Sequence, residues 1–413
     1  MDLALTDEQA MIRDAAADVL AERSASADMR RAIEQSAGRD DALWAALGGE
    51  LGWNALSLPE AAGGMGLGAV EQTLLMEQLG RRVACVPYFS TACLAATALA
   101  GCADTPLAIG WLAKIAEGAC SATLALPFEL PACTGQLPIV AEEAAGGYAL
   151  SGTIEQVIDG ARADLLLVPA RIANEGQAIG LFAIDVATAA GLSVAPLDTL
   201  DATRPIARVA FDETRVGRDA LFASGAVAAQ LLDRTAWFAA LALAAEQLGG
   251  AQQCLDLTLD YTGQRVQFGR AIASFQAVKH RCAQMMVLIE SARSAVLGAA
   301  HAWDAAAGSD ALGAALRADV AAAKAAANDA YAFCAQEAIQ LHGGVGFTWE
   351  YDPHLYFKRA QASGAQFGST PQLLEWIAGH AIDGGTSQRG AVLASPSAAL
   401  AARPSAARTG ALQ

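Results

Sequence analysis

No two of the eight cysteines in this 413-residue chain form a C-x-x-C pair; they scatter from Cys85 to Cys334. That spacing excludes a zinc ribbon or a dithiol redox motif, and a disulfide framework is a poor reading for a chain this long with no secretory leader. They read as buried, reduced small hydrophobes. Long basic runs and aromatic–basic stripes are absent too, which argues against nucleic acid as a partner. Five histidines (His280, His301, His342, His354 and His380) show no metal-ligand spacing. The longest uninterrupted apolar run, Ala236 to Ala245, is too short to cross a bilayer. The chain passes from Met1-Asp2-Leu3 straight into a polar helical pattern, so no signal peptide is expected. No serine sits in a nucleophile elbow, which counts against a hydrolase.

Charge is sparse and one-sided. Charged residues make up 17% of the chain, and 43 acidic against 27 basic side chains give a formal net charge of −16. The acidity suits a soluble cytoplasmic protein and says little about substrate. Hydrophobic residues reach 54%, so most of the chain is expected to fold. Much of that apolar content is alanine at helical spacing, with few β-branched runs before residue 120 or after residue 222.

Thr6 followed by Glu8, Gln9, Met11, Ile12, Ala15, Ala16 and Val19 predicts a capped amphipathic helix over 6–22, and helical patterns recur at 40–52 and 69–83. Between the last two lies a glycine-rich turn, Ser57 to Gly68, whose spacing is not that of a dinucleotide fingerprint. Short β-branched segments (122–126, 148–152, 164–168, 180–184, 206–211) separated by Gly, Pro and Asp predict a β barrel or sandwich over 120–222. Helical periodicity returns at 227–266, 275–306, 311–342 and 371–381, as expected of a bundle. The fold class is therefore mainly α with an inserted β domain. Its parts are an N-terminal helical domain (1–119), a middle β domain (120–222), a four-helix bundle (223–383) and a tail (384–413) that reads as disordered. A β domain between two helical ones leaves a junction where a flat cofactor can bind.

Two stretches carry chemistry. In Arg265-Val266-Gln267-Phe268-Gly269-Arg270, followed by Ser274-Phe275-Gln276, a glycine breaks a helical pattern between two arginines. Such a fork suits a phosphate, and Gln276 suits an adenine or ribose; the plainer alternative is a solvated helix end. In Gln340-Leu341-His342-Gly343-Gly344, adjacent glycines let backbone N–H groups approach a pyrophosphate, or simply end a helix.

Together with Leu5-Thr6-Asp7-Glu8-Gln9, Leu58-Pro59-Glu60 through Leu67, Gly152-Thr153 through Gly160, and Phe347-Thr348-Trp349-Glu350, these stretches resemble the acyl-CoA dehydrogenase family over nearly the whole folded chain. The resemblance implies an FAD enzyme that dehydrogenates an acyl-CoA across Cα–Cβ, with a carboxylate base taking the α-proton and the flavin taking the β-hydride. An electron-transfer flavoprotein is the implied acceptor. Arg265, Phe268, Gln276, Gln340, Gly343 and Gly344 correspond to residues that hold the ADP half of FAD, in this family that of the neighbouring subunit. A homotetramer is implied, or an α2β2 heterotetramer of the type found in bacteria, often acting on bulky substrates such as sterols.

The chain departs from the pattern at the base. The two positions that carry the family's glutamate hold Phe367 and Ala239. The nearest carboxylate is Glu246, seven residues after Ala239 on the same helical face and about 10 Å along the axis. Within the apolar stretch Leu241–Gly250 it is the tentative base, or a structural carboxylate bonded to an arginine or a helix end. Asp233 reads as a cap. The flavin-ring side also departs, with Leu124–Glu129 lacking the usual small-residue loop, and Gln156 and Ile158 standing where an aromatic and a threonine are common. Two readings follow: a self-sufficient dehydrogenase using Glu246, or a partner subunit that completes the FAD site of a base-bearing chain.

Overall fold

The computed structural model describes residues 3–128, 130, 137–173, 178–308 and 311–382. The expected tail from 384, and Glu129, lie outside the described residues.

Six helices open the chain: α1 (Asp7–Arg23), α2 (Ser26–Ser36), α3 (Asp41–Ala45), α4 (Ala69–Arg81), α5 (Ala96–Ala100) and α6 (Pro106–Ala116). Thr6 and Gln9 form the capping box that starts α1. α2 and the helices after residue 88 are not among the expected elements; Phe89–Ala100 is buried almost all round, which hides helical periodicity.

Eight strands follow: β1 (Ala122–Leu124), β2 (Val140–Ala144), β3 (Gly147–Ile158), β4 (Leu165–Ile172), β5 (Ile179–Asp185), β6 (Leu192–Leu197), β7 (Ile206–Gly217) and β8 (Leu221–Ser224). Their order is β6-β7-β3-β2-β4-β5-β8, with β1 also pairing β4. Alternation along β4 serves two cores. Leu165 and Leu167 join the core shared with the helices, while Leu166 and Val168 join a second core inside the β domain with Tyr148, Phe182 and Phe211. Residues on both faces of β4 are therefore apolar, and the β domain is seated on the helices by one face.

The bundle consists of α7 (Gly225–Gln264), α8 (Gln276–Ala305), α9 (Ala314–His342) and α11 (Thr370–Ile382), with α10 (Pro353–Gly364) before the last. Between α7 and α8 a short hairpin pairs β9 (Val266–Gln267) with β10 (Arg270–Ala271). By length and composition α7 could cross a membrane, but 67% of its apolar window is buried within this fold.

α4 and α7 cross with their backbones almost touching. A Cβ on Gly80 would lie 2.0 Å from the Glu246 carbonyl oxygen, and one on Gly249 would lie 1.8 Å from the Glu77 carbonyl oxygen. In an unpacked helix Gly→Ala stabilises by about 1 kcal/mol. Here the clash is with backbone, so the sign reverses. Gly249→Ala should destabilise by about 1–3 kcal/mol, read as a lower thermal midpoint; a midpoint equal to or above the parent's would show that the helices do not cross this closely.

Candidate functional site

The junction of β domain and bundle is built from the β6–β7 connection, the middle of α7 and the end of α10. Phe367, at one of the two base positions, is fully buried with φ of 52°. Its N–H donates to the Phe128 carbonyl at 2.9 Å. Its ring meets Phe89 edge-on at 6.0 Å and Phe128 at 5.9 Å. Ala239, at the other base position, is fully buried on α7 among apolar neighbours. A three-ring apolar plug therefore occupies the place where the resemblance puts proton abstraction.

Glu246 is buried, and its Oε1 accepts from Arg204 Nη2 and Arg359 Nη1, each at 2.6 Å. Arg359 also donates to Asp201 Oδ2 and Thr203 Oγ1, both at 2.6 Å. Thr203 is in turn held by the Asp201 carboxylate through its N–H at 2.9 Å and its hydroxyl. Two carboxylates thus balance two guanidiniums inside the protein. Burial alone would lower the Arg359 pKa, but Asp201 and Glu246 outweigh it and hold it raised. The geometry matches the structural alternative for Glu246, a carboxylate bonded to an arginine: Oε1 accepts from two guanidiniums. Neither partner was visible in sequence, because Arg204 and Arg359 lie 42 and 113 residues away.

Other expectations change in detail. Asp233 lies inside α7, paired to Arg317 at 2.7 Å, and Ser224 is the N-cap residue. Asp352 pairs with Arg30 of α2, and Arg30 stacks on the Trp349 ring at 4.8 Å.

Lys324 escaped notice in the sequence, since one lysine in an alanine-rich helix reads as solvated. It is fully buried, with Nζ donating to Asn328 Oδ1 at 2.5 Å and to the Ser363 carbonyl at 3.3 Å. Asn328 donates to the Gly368 carbonyl at 3.2 Å, and Gln247 donates to Asn328 and to the Ser363 hydroxyl. These bonds brace the segment that carries Phe367. Burial lowers the Lys324 amine to about 7, with Glu246 opposing the shift.

The ring side can be tested for a flavin directly. Ile158 pairs with Ile206 in the sheet, and the cavity beside Ile206 is bounded by Arg204, Arg359, Ser363 and Gln366. It measures about 50 Å³, whereas ligand pockets generally run to about 300–1,000 Å³. An isoalloxazine does not fit between these side chains. Arg204 Nη1, Glu246 Oε2 and Gln366 Oε1 have no hydrogen-bond partner among the described residues.

The ADP-side residues present the opposite picture. Arg265, Phe268, Gln276, Gln340, Gly343 and Gly344 are all exposed. Phe268 and Gly269 occupy the hairpin tip with φ of 54° and 77°, and Phe268 is 91% exposed. Arg270 lies over the Phe275 ring at 4.0 Å. Tyr261 near the end of α7 stacks on His342 at the end of α9 at 4.4 Å, which brings the arginine hairpin and the Gly343-Gly344 turn to one end of the bundle. Gly343 has φ of 65° and ψ of −144°, and Cβ atoms on either glycine would meet open space. Exposed donors, an exposed aromatic and an uncovered backbone fit a diphosphate and an adenine offered from outside the chain. Arg265 stands about 28 Å along α7 from Glu246.

The N-terminal part, residues 6–119, matches the model described as acyl-CoA dehydrogenase, N-terminal domain, and residues 231–382 match acyl-CoA dehydrogenase, C-terminal domain. The acyl-CoA dehydrogenase IpdE2 of Mycobacterium tuberculosis is 32% identical over 366 residues, covering 89% of this chain and 94% of that one. Acyl-CoA dehydrogenase FadE27 of the same organism is 34% identical over 76% of this chain and 82% of that one. Among solved structures, a chain of the ChsE4-ChsE5 complex from Mycobacterium tuberculosis superposes with a TM-score of 0.80 at 28% identity, covering 92% of this chain and 99% of that one.

Two substitutions separate structure from catalysis at the knot. Glu246→Gln leaves two buried guanidiniums short of a counter-charge and should cost about 3–5 kcal/mol of stability. Activity of the assembled enzyme, measured well below the lowered midpoint, should survive; loss of turnover with an unchanged midpoint would restore Glu246 as the base. Lys324→Met tests the buried amine. An unfolded lysine keeps its proton to about pH 10.4, while the folded one is neutral above about 7. Unfolding therefore takes up a proton between these values, and this lysine makes the parent more stable as pH rises through that window. The parent should gain on the Lys324→Met variant from pH 7 to 9.5 by up to ~1.4 kcal/mol per pH unit. A constant difference would mean that the amine stays charged in the fold.

Proposed function

The chain belongs to the acyl-CoA dehydrogenase family, and from that premise we propose that it is the chain without the base in a two-chain acyl-CoA dehydrogenase, completing the FAD site of a base-bearing partner. The observation that carries the proposal is the junction itself. Both base positions are apolar, a triad of Phe89, Phe128 and Phe367 fills one of them, and the nearest helix carboxylate is tied to two arginines. The family reaction is oxidation of an acyl-CoA, and the expected acceptor is an electron-transfer flavoprotein.

In this reading flavin, bound in the partner's cleft, supplies the hydride acceptor. This chain's residues bind and orient. Arg265 offers a guanidinium to the diphosphate, the Gly343-Gly344 turn offers unhindered backbone, and Phe268 offers a face for the adenine. Gln276 and Gln340 supply amide groups beside them. Their exposure in the single chain is what a site completed by a second subunit requires. The assembly is then an α2β2 heterotetramer. The solved ChsE4-ChsE5 structure is by its name a complex of two proteins, which supports the reading by likeness. Another similar structure bears the name Tcur3481-Tcur3483 steroid ACAD, which favours a steroid-bearing acyl-CoA as the substrate class.

The proposal is tested by purifying the chain alone and together with a base-bearing family member encoded beside it. Alone it should carry little flavin, and no acyl-CoA should bleach what it carries. The pair should hold about one flavin for every two chains and be reduced by substrate. Arg265→Gln in this chain should weaken flavin retention by the pair by about tenfold or more. Stoichiometric flavin in the isolated chain, bleached by an acyl-CoA, would overturn the proposal.

A further inference from the structure

Tyr261, in the last turn of α7, holds both halves of the ADP-side surface. Its backbone carbonyl accepts from the Arg265 N–H at 2.9 Å, which fixes where the hairpin leaves the helix. The hairpin closes through the Ile272 N–H, which donates to the Arg265 carbonyl at 2.8 Å. The Tyr261 ring reaches the other segment. It stacks on His342 with centroids 4.4 Å apart and planes at 19°. His342 is the last residue of α9, directly before Gly343. It is buried, and its Nδ1–H donates to the Ala338 carbonyl at 2.6 Å, which holds the ring in one orientation on its own helix. Tyr351, beyond the Gly343–Phe347 segment, meets Tyr261 edge-on at 5.9 Å and His342 edge-on at 6.0 Å. The glycine segment needs such pins. Gly343 has a positive φ, and a Cβ on either Gly343 or Gly344 would meet open space, so nothing packs on this backbone directly. Glycine loses more conformational freedom on being ordered than any other residue. His342 before the segment and Tyr351 after it touch the same ring, which fixes both of its ends against α7.

We infer that Tyr261 is a positioning residue for the ADP half of the cofactor: its ring, through His342, sets the Gly343-Gly344 backbone against Arg265 before a ligand arrives. The inference rests on the reading that this surface holds the diphosphate of the partner's FAD. A diphosphate that bridges a guanidinium and a backbone turn binds tightly only when the two already stand at the right separation. Otherwise the cost of ordering them is subtracted from the binding energy. One residue supplies both constraints, its carbonyl to the arginine side and its ring to the glycine side. The contact with His342 is made by the face of the ring, so Tyr261→Phe preserves it and Tyr261→Leu removes it.

The experiment measures the FAD dissociation constant of the chain paired with its base-bearing family member, and amide hydrogen exchange of the chain without flavin. Tyr261→Leu should raise the dissociation constant about three- to tenfold, the size expected of one aromatic pair. Tyr261→Phe should stay within about twofold of the parent. Without flavin, Tyr261→Leu should speed exchange at 266–272 and 343–348 about threefold or more and leave 241–247, in the middle of α7, as in the parent; a general loss of stability would speed all three together. Arg265→Gln, which removes a phosphate contact and leaves the stack, separates the two claims. If Arg265→Gln weakens flavin retention and Tyr261→Leu does not, the positioning role is overturned and the reading of the surface stands. If neither weakens it, the reading of the surface fails and the positioning role with it. A Tyr261→Phe variant as weak as Tyr261→Leu would overturn the ring stack as the cause.

Discussion

Arg359 joins three parts of the chain that are far apart in sequence. From α10 it reaches Asp201 and Thr203 at the edge of the β domain and Glu246 in the middle of α7. Arg204 closes the ring from the β side and lies 4.9 Å over the Phe89 ring. Taking four charges out of water is costly, and the cost is met only because each carboxylate accepts from an arginine at short range. Lys324 lies next to this group, where burial drives it toward its neutral form against the pull of Glu246 and leaves it a hydrogen-bond donor to Asn328 and Ser363. The seat of the β domain, the placement of α10 and the bracing of the Phe367 segment all follow from that one knot.

The architecture was legible because long elements average over local accidents. Alanine at helical spacing gave α7, α8 and α9 to within a few residues, and Thr6 with Gln9 gave the start of α1. The hairpin between α7 and α8 was visible only as a glycine interrupting a helix. What the residues could not reveal were elements with little periodicity of their own. β2 is half exposed, β6 has no fully buried residue, and Phe89–Ala100 is buried on almost every side. Each is defined by its neighbours in the fold.

Site residues divide in the same way. The ADP-side group rests on local sequence: a glycine that permits a left-handed tip, a second glycine pair at a helix end, and arginines beside the first. Such features can be read without knowing the fold. The knot rests on contacts between distant positions, so Glu246 in an apolar stretch signalled only that some partner must exist. Its identity decides the chemistry. Two arginines on Oε1, one from the β side and one from α10, hold the carboxylate as a strut between the β domain, α7 and α10.

The two ends of α7 can therefore carry different roles. Its middle is packed between α4 and α9 with glycine contacts so close that little can move, and that rigidity fixes both the junction and the hairpin about 28 Å away. The junction is filled from within by Phe89, Phe128 and Phe367, whereas the hairpin end is uncovered and polar. A rigid helix transmits position without requiring that both ends share one chemistry. Loss of a base at the junction need not disturb the geometry at the hairpin, because none of the ADP-side residues touches the knot. The same independence argues against a gradual loss of function along the chain. The closed end is well packed with its aromatic rings in contact, and the open end presents a positive-φ glycine turn with nothing covering it.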